Sequence, residues 1–267
     1  MFTKIKEGHK DIEVVAYLDD VTISGPPEST FRAFQRLQAE AQEFGLIVQK
    51  DKCAVLTPGS GEVSDELQGM IARQGFRTQK GALPLLGTVV GNDDKVIQQL
   101  VNDKVDGWKK ALELLAHEEI PAQLALLVGR WIMTAKPNSL ARSLPPTITI
   151  PPLKDFGEAV LTTMQRRLNL SLQGDARLLF QQPLREGGLG FCSPSETAPY
   201  AFLAGFASSC LAIRESNLNA DDKGSVPVGG GWLLRKLESC LTRYIPPNSG
   251  WRRGGLQRRP AICRALQ

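Results

Sequence analysis

The chain has 267 residues, a hydrophobic fraction of 42%, a charged fraction of 22% and a formal net charge of +4. That length can bury a core, and the composition is that of an ordinary globular protein, which excludes collagen-like and disordered classes. No apolar run is long enough to span a bilayer, and the polar, charged stretch Met1 to Lys10 lacks the apolar centre of a secretory signal, so an intracellular location is expected, with the nucleus as one option.

The first elements are a strand over Ile12 to Leu18, β-branched and aromatic, and a short strand over Val21 to Ser24. Asp19 and Asp20 lie between them and favour a turn, so two carboxylates are expected at the tip of a tight hairpin. Gly25-Pro26-Pro27 closes it. Ser29 is expected to cap a helix to Phe44, with Phe31, Phe34, Leu37, Ala41 and Phe44 on one face and Gly45 as left-handed stop. Leu46 to Val48 and Ala54 to Leu56 read as short strands around Lys50-Asp51-Lys52. Ser64 caps a short helix to about Arg73. Phe76 to Gln79 and Leu83 to Val90 read as a second hairpin turning at Lys80-Gly81.

From Asn92, a candidate cap, the pattern is helical: Val96, Leu100, Val105, Trp108, Leu112 and Leu115 make one stripe. Pro121 starts a helix to about Ala135, lined by Leu124, Val128, Trp131 and Ala135, and both Trp108 and Trp131 are expected in the core. His117, near a helix end, is read as a surface residue. Pro145-Pro146 and Pro151-Pro152 bracket an extended link. A helix over Leu153 to Leu172 turns Phe156, Val160, Met164 and Leu168 inward, and another spans about Glu196 to Arg214. The glycines of Arg185 to Phe191 read as a tight turn, because no Gly-Lys-Ser/Thr follows them to make a phosphate cradle. Asn217 to Gly231 reads as a linker. The tail from Arg243 holds six arginines and no acid, so the rest of the chain is slightly acidic. Such a tail binds phosphates or is simply solvated. The five cysteines are scattered without a C-x-x-C pair and read as free thiols. The expected class is α+β: hairpins with a helix, then mostly helix.

Tyr17-Leu18-Asp19-Asp20 between two strands resembles the Tyr-x-Asp-Asp motif of reverse transcriptases, specifically those of non-LTR-like retrotransposons. The order downstream agrees: a helix, then Gly45-Leu46 and Lys52-Cys53, then Leu86-Gly87, similar to the hairpin that supports the primer, then helices in the place of the thumb. Pro183 to Gly190 and the alanine-rich helix after it look like the region beyond the polymerase. The resemblance covers about residues 12 to 215. It implies a partial palm over residues 1–91, a thumb-like region over 92–180, a glycine-rich loop and helix over 181–216, and a linker with basic tail over 217–267.

The resemblance further implies RNA-directed DNA polymerisation on an RNA template and DNA primer with dNTP, assisted by two Mg²⁺ ions. Asp19 and Asp20 are then the catalytic metal ligands, Lys52 the residue that neutralises departing pyrophosphate with Lys50 as competitor, and Tyr17, Leu18, Leu86 and Gly87 substrate-contacting residues. The family also uses a metal-binding aspartate on a strand upstream of the tyrosine. Glu13, six residues from Asp19, lies roughly 20 Å away along the same extended strand and cannot fill that place. The chain alone is therefore expected to be inactive. The alternatives are a non-catalytic nucleic-acid-binding remnant and an unrelated structural or interaction protein.

Overall fold

The computed structural model describes Ile5 and residues 11–60, 63–171 and 173–218. The expectations for the remaining N-terminal residues, for the linker beyond Leu218 and for the arginine tail with Cys240 and Cys263 lie outside the described residues. Helix and strand are mixed, as in an α+β chain. The chain divides into two compact units. The first comprises residues 1–82 and 91–93, the second 83–90 and 94–267.

In the first unit, β1 (Glu13–Tyr17) and β2 (Asp20–Ser24) form an antiparallel hairpin. Alternation places Val14, Val21 and Ile23 against a small core of Ile5, Ile12, Ala33 and Leu37. The other face is open to solvent, with Val15 and Tyr17 about 60% exposed. Helix α1 (Pro27–Glu43) supplies Ala33 and Leu37. It starts two residues before Ser29, because Pro27 is well suited to a first turn that needs no N–H. The Ser29 hydroxyl instead donates to the Asp11 carboxylate. The helix ends as expected: the N–H of Gly45, in left-handed backbone, donates to Gln42 O, and that of Leu46 to Ala41 O.

Leu46 to Val48 form no strand. Ile47 is 89% exposed, and the chain passes into a 3₁₀ turn, Lys50–Lys52. β3 (Ala54–Thr57) follows, and then α2 (Asp65–Gln74), whose first turn is capped by Ser64 Oγ accepting from Leu67 N–H. β4 (Arg77–Lys80) pairs with β3 in parallel, not with the strand after it. The intervening α2 is the crossover that a parallel pair requires. Phe76, just before β4, packs on Phe31 and Phe34 of α1, with ring centroids 6.0 and 4.8 Å apart. β5 (Ala82–Leu85) and β6 (Thr88–Gly91) make the second hairpin, which turns at Leu86-Gly87 rather than at Lys80-Gly81. Gly91 has no room for a side chain: a Cβ there would lie 2.2 Å from Gly81 O, which accepts the N–H groups of Asn92 and Asp93.

The second unit is built on α3 (Asp94–Leu115) and α6 (Pro146–Leu168). Asn92 belongs to the first unit and does not sit at the start of α3; its side chain accepts from the N–H of Gly59 in that same unit. The buried stripe of α3 is Ile97, Val101, Val105, Trp108, Leu112 and Leu115, one position later than expected in its first two turns. Trp108 meets Phe156 of α6 edge to face at 5.5 Å. His117 is exposed beyond the helix end.

Between α3 and α6 lie α4 (Ala122–Val128), a π turn over Gly129–Met133 and α5 (Asn138–Ser143). The buried positions here are Ala125, Gly129 and Met133. Leu124 and Leu127 are about half exposed and Trp131 more so, so Trp131 is not a core residue. The reason is close packing. Gly129 lies so near Met164 and Phe191 that a Cβ would come within 3.1 Å of each, so no side chain fits at that position.

The expected proline-rich link is helical throughout. Pro145 caps α6, Pro146 opens it, and Pro151 and Pro152 lie inside it. Burial decides this, since Pro152, Leu153 and Phe156 are all buried. Pro152 cannot donate to Ile148 O four residues earlier. The Gln98 amide of α3 donates to that carbonyl instead, at 3.2 Å. α7 (Asp175–Gln181) leads into the glycine-rich stretch, a tight turn in which Gly190 N–H donates to Gln182 O and Phe191 N–H to Phe180 O. The Phe180 and Phe191 rings stack at 4.2 Å. α8 (Pro194–Leu218) follows and takes in Asn217, the first residue of the expected linker.

Candidate functional site

A strand pair that turns in two residues needs positive φ in the loop to match its twist. In the β1–β2 hairpin the loop is Leu18-Asp19, because Tyr17 pairs across the ladder with Asp20. Leu18 has φ 55° and is 86% exposed. A leucine in left-handed backbone costs about 1–2 kcal/mol relative to glycine. The tip is thus displaced by one residue from the expected Asp19-Asp20 turn. Asp19 stands in the loop, and Asp20 is the first residue of β2. As cross-strand partners, Tyr17 and Asp20 share the solvent face. Four of the residues singled out in the sequence are therefore gathered at one exposed tip.

Two neighbouring carboxylates in water fit a hard divalent cation. Mg²⁺ is commonly held by one or two carboxylates while keeping water and phosphate oxygens in its other positions. Asp19 and Asp20 match that donor set for a single ion. Among the described residues no group of three or more His, Cys, Asp and Glu side chains could hold a metal. A pair of ions would need further ligands beyond these two.

Lys52 is exposed in its 3₁₀ turn, and no hydrogen bond or ion pair joins it to Asp19 or Asp20. Lys50, at the start of the same turn, acts on Cys53: burial pushes that thiol up from its ordinary pKa, and the Lys50 charge opposes the shift.

Leu86 and Gly87 form the two-residue loop of the β5–β6 hairpin, in the second unit. Both have positive φ, 46° and 81°. The loop is held from behind by residues that sequence spacing did not single out. Lys104 Nζ of α3 donates to Gly87 O at 2.6 Å, and Ser139 Oγ of α5 donates to the same oxygen at 3.2 Å. The Thr88 and Ser143 hydroxyls share a hydrogen bond, and Ser143 also bonds Ser139 O. These partners are 17 and more residues from the loop in sequence, beyond any periodic signal. Burial, and then the charge of Lys136, hold the Lys104 ammonium below its ordinary pKa.

No helix among the described residues is long and apolar enough to cross a membrane. Compared with protein families, with curated proteins and with solved structures, this chain shows no match.

Proposed function

We propose that this chain is part of the polymerase region of a retroelement reverse transcriptase, an RNA-directed DNA polymerase. In this reading the first unit carries part of the palm and the helices after Asn92 stand in the place of the thumb. The observation that carries the reading is the β1–β2 tip. It is a two-residue turn with a left-handed leucine that sets Tyr17, Asp19 and Asp20 together in solvent. A primer 3′-hydroxyl, an incoming dNTP and a divalent ion must all approach such a group from outside the protein, and the exposure of the tip permits it.

In this proposal Asp19 and Asp20 bind Mg²⁺, Tyr17 and Leu18 contact the nucleotide or primer end, and Leu86-Gly87 contacts the primer. Lys52 is the candidate neutraliser of pyrophosphate. The ion, when bound, would stabilise the charge that develops on the reacting phosphate oxygens. The described residues supply two carboxylates, fewer than fixing two ions requires. The chain by itself is therefore proposed to be inactive, with a further carboxylate needed to complete the site.

Primer extension on an RNA template tests this. No incorporation is expected from the chain alone. Incorporation abolished by Asp19→Ala would overturn the proposed inactivity while supporting the family reading. Mg²⁺ titration followed by NMR should shift the Asp19 and Asp20 carboxylate signals; unchanged signals at millimolar ion would count against the tip as a metal site. The second reading is a non-catalytic nucleic-acid binder, in which the two carboxylates of the tip play no part. It expects salt-dependent duplex binding that survives Asp19→Ala.

A further inference from the structure

The segment that begins with α4 is apolar on two opposite sides. Ala125, Gly129 and Met133 are buried. Leu124, Leu127 and Ile132 are about half exposed, and Trp131 is 69% exposed. The spacing i, i+3, i+7, i+8 sets these four on one side of a helix. The backbone is helical from Ala122 through the π turn to Thr134, and Lys136 N–H donates to Ile132 O. The exposed stripe is therefore continuous. The Arg130 guanidinium lies 5.6 Å from the centre of the Trp131 ring. An exposed tryptophan and arginine among leucine and isoleucine have the composition of a protein-binding centre, not of scattered surface residues.

Charge is segregated along the same stripe. Glu118 and Glu119 lie in the loop between α3 and α4, just before Pro121. From Ile120 to Lys154 the sequence has no acidic residue, so Arg130 and Lys136 make the far end basic. The Glu119 side chain is 89% exposed, and its ion-pair contact is with the His117 ring at 3.9 Å. Lys136 is exposed and makes no ion pair among the described residues. A stripe with an acidic end, an apolar centre and a basic end is complementary to itself when turned end for end.

We propose that this stripe is a self-association surface, covered by the same stripe of a second copy of the chain running antiparallel about a twofold axis. Each residue pair then occurs twice, as in any isologous contact. With the axis between Leu127 and Val128, Leu124 of one copy meets Trp131 of the other, and Glu119 meets Lys136. A parallel pair would set like charge on like, and a partner of uniform charge would match one end only. The apolar area is roughly a few hundred Å², less than the about 800 Å² that each partner gives to a standard interface. The dimer is therefore weak and reversible, with a Kd on the order of 10 µM.

Sedimentation equilibrium of the full chain, from well below to well above that Kd, tests the pairing. Wild type is expected to pass from monomer to dimer. Trp131→Ala removes a central contact twice over and is expected to weaken the dimer by about tenfold or more. Glu119→Lys puts like charges together at both ends and is expected to weaken it severalfold, more so at low salt. Adding Lys136→Glu to that variant exchanges the two charges and restores association to near wild type. A wild-type chain that stays monomeric throughout overturns the second copy as occupant and leaves the stripe to a different partner. Association unchanged by Trp131→Ala overturns the stripe as the surface used. A double variant that associates no better than Glu119→Lys alone overturns the antiparallel arrangement. Glu119 is so exposed that the charge exchange is decisive even if Trp131→Ala fails to fold.

Discussion

Tyr17 and Asp20 face each other as the last cross-strand pair of the β1–β2 hairpin, leaving only Leu18 and Asp19 to turn the chain. The position of Asp19 therefore depends on a leucine held at φ 55°.

Leu18→Gly is expected to relieve that backbone. The gain in left-handed backbone is about 1–2 kcal/mol, partly offset by the greater freedom of glycine in the unfolded chain. Stability should rise by up to about 1 kcal/mol, read as a higher denaturation midpoint. A lower midpoint would show that the leucine side chain makes a stabilising contact despite its exposure.

The Gln98 amide and Pro152 should be coupled. Gln98→Ala removes the donor to Ile148 O and is expected to cost about 1–3 kcal/mol. Pro152→Ala restores a backbone N–H four residues on, so the glutamine matters less in that background. In a double-mutant cycle the double variant should lose about 1 kcal/mol less than the sum of the two single losses. Strict additivity would mean that Ile148 O needs no side-chain partner.

The two central tryptophans should behave oppositely. Trp108 is 8% exposed and packed on Phe156, so Trp108→Ala is expected to cost about 3–5 kcal/mol. Trp131 is 69% exposed and touched by the Arg130 guanidinium at 5.6 Å, so Trp131→Ala should cost about 1 kcal/mol or less. Urea midpoints of the two variants check this, and equal losses would refute it.

The lowered pKa of Lys104 has a definite sign. In the window between its folded value and the higher unfolded value, the unfolded chain binds more protons, so stability rises with pH there. At neutral pH the charged lysine is a net cost. Lys136→Met removes one of the two causes and should move the Lys104 titration upward, leaving burial as the remaining depressor. A downward move would contradict the assignment of Lys136 as a cause.

The local elements were legible where a short-range signal stands alone. Pro26-Pro27, Ser64, Gly45 and the β-branched run before Tyr17 mark ends and strands by their own backbone chemistry, and the helix and hairpin they delimit are present. The departures occur where a distant contact outweighs the local preference. Pro151 and Pro152 argue for an extended link, yet burial and a glutamine from another helix hold them in α6. The largest apolar residues of α4 and the π turn argue for Leu124 and Trp131 inside, yet the buried positions are Ala125, Gly129 and Met133, with Met164 and Phe191 packed directly on Gly129.

The candidate site divides the same way. Tyr17, Leu18, Asp19 and Asp20 are consecutive, so a turn between two strands brings them together whatever the rest of the chain does. That motif and its order with Lys52 and Leu86-Gly87 are sequence properties. Which aspartate occupies the loop was decided by strand register. The convergence of Lys104 and Ser139 behind Gly87 depends on helices that follow the hairpin and fold back onto it. Hydrogen bonds across 17 and 52 residues have no spacing rule in the chain, and only the packing of the second unit creates them.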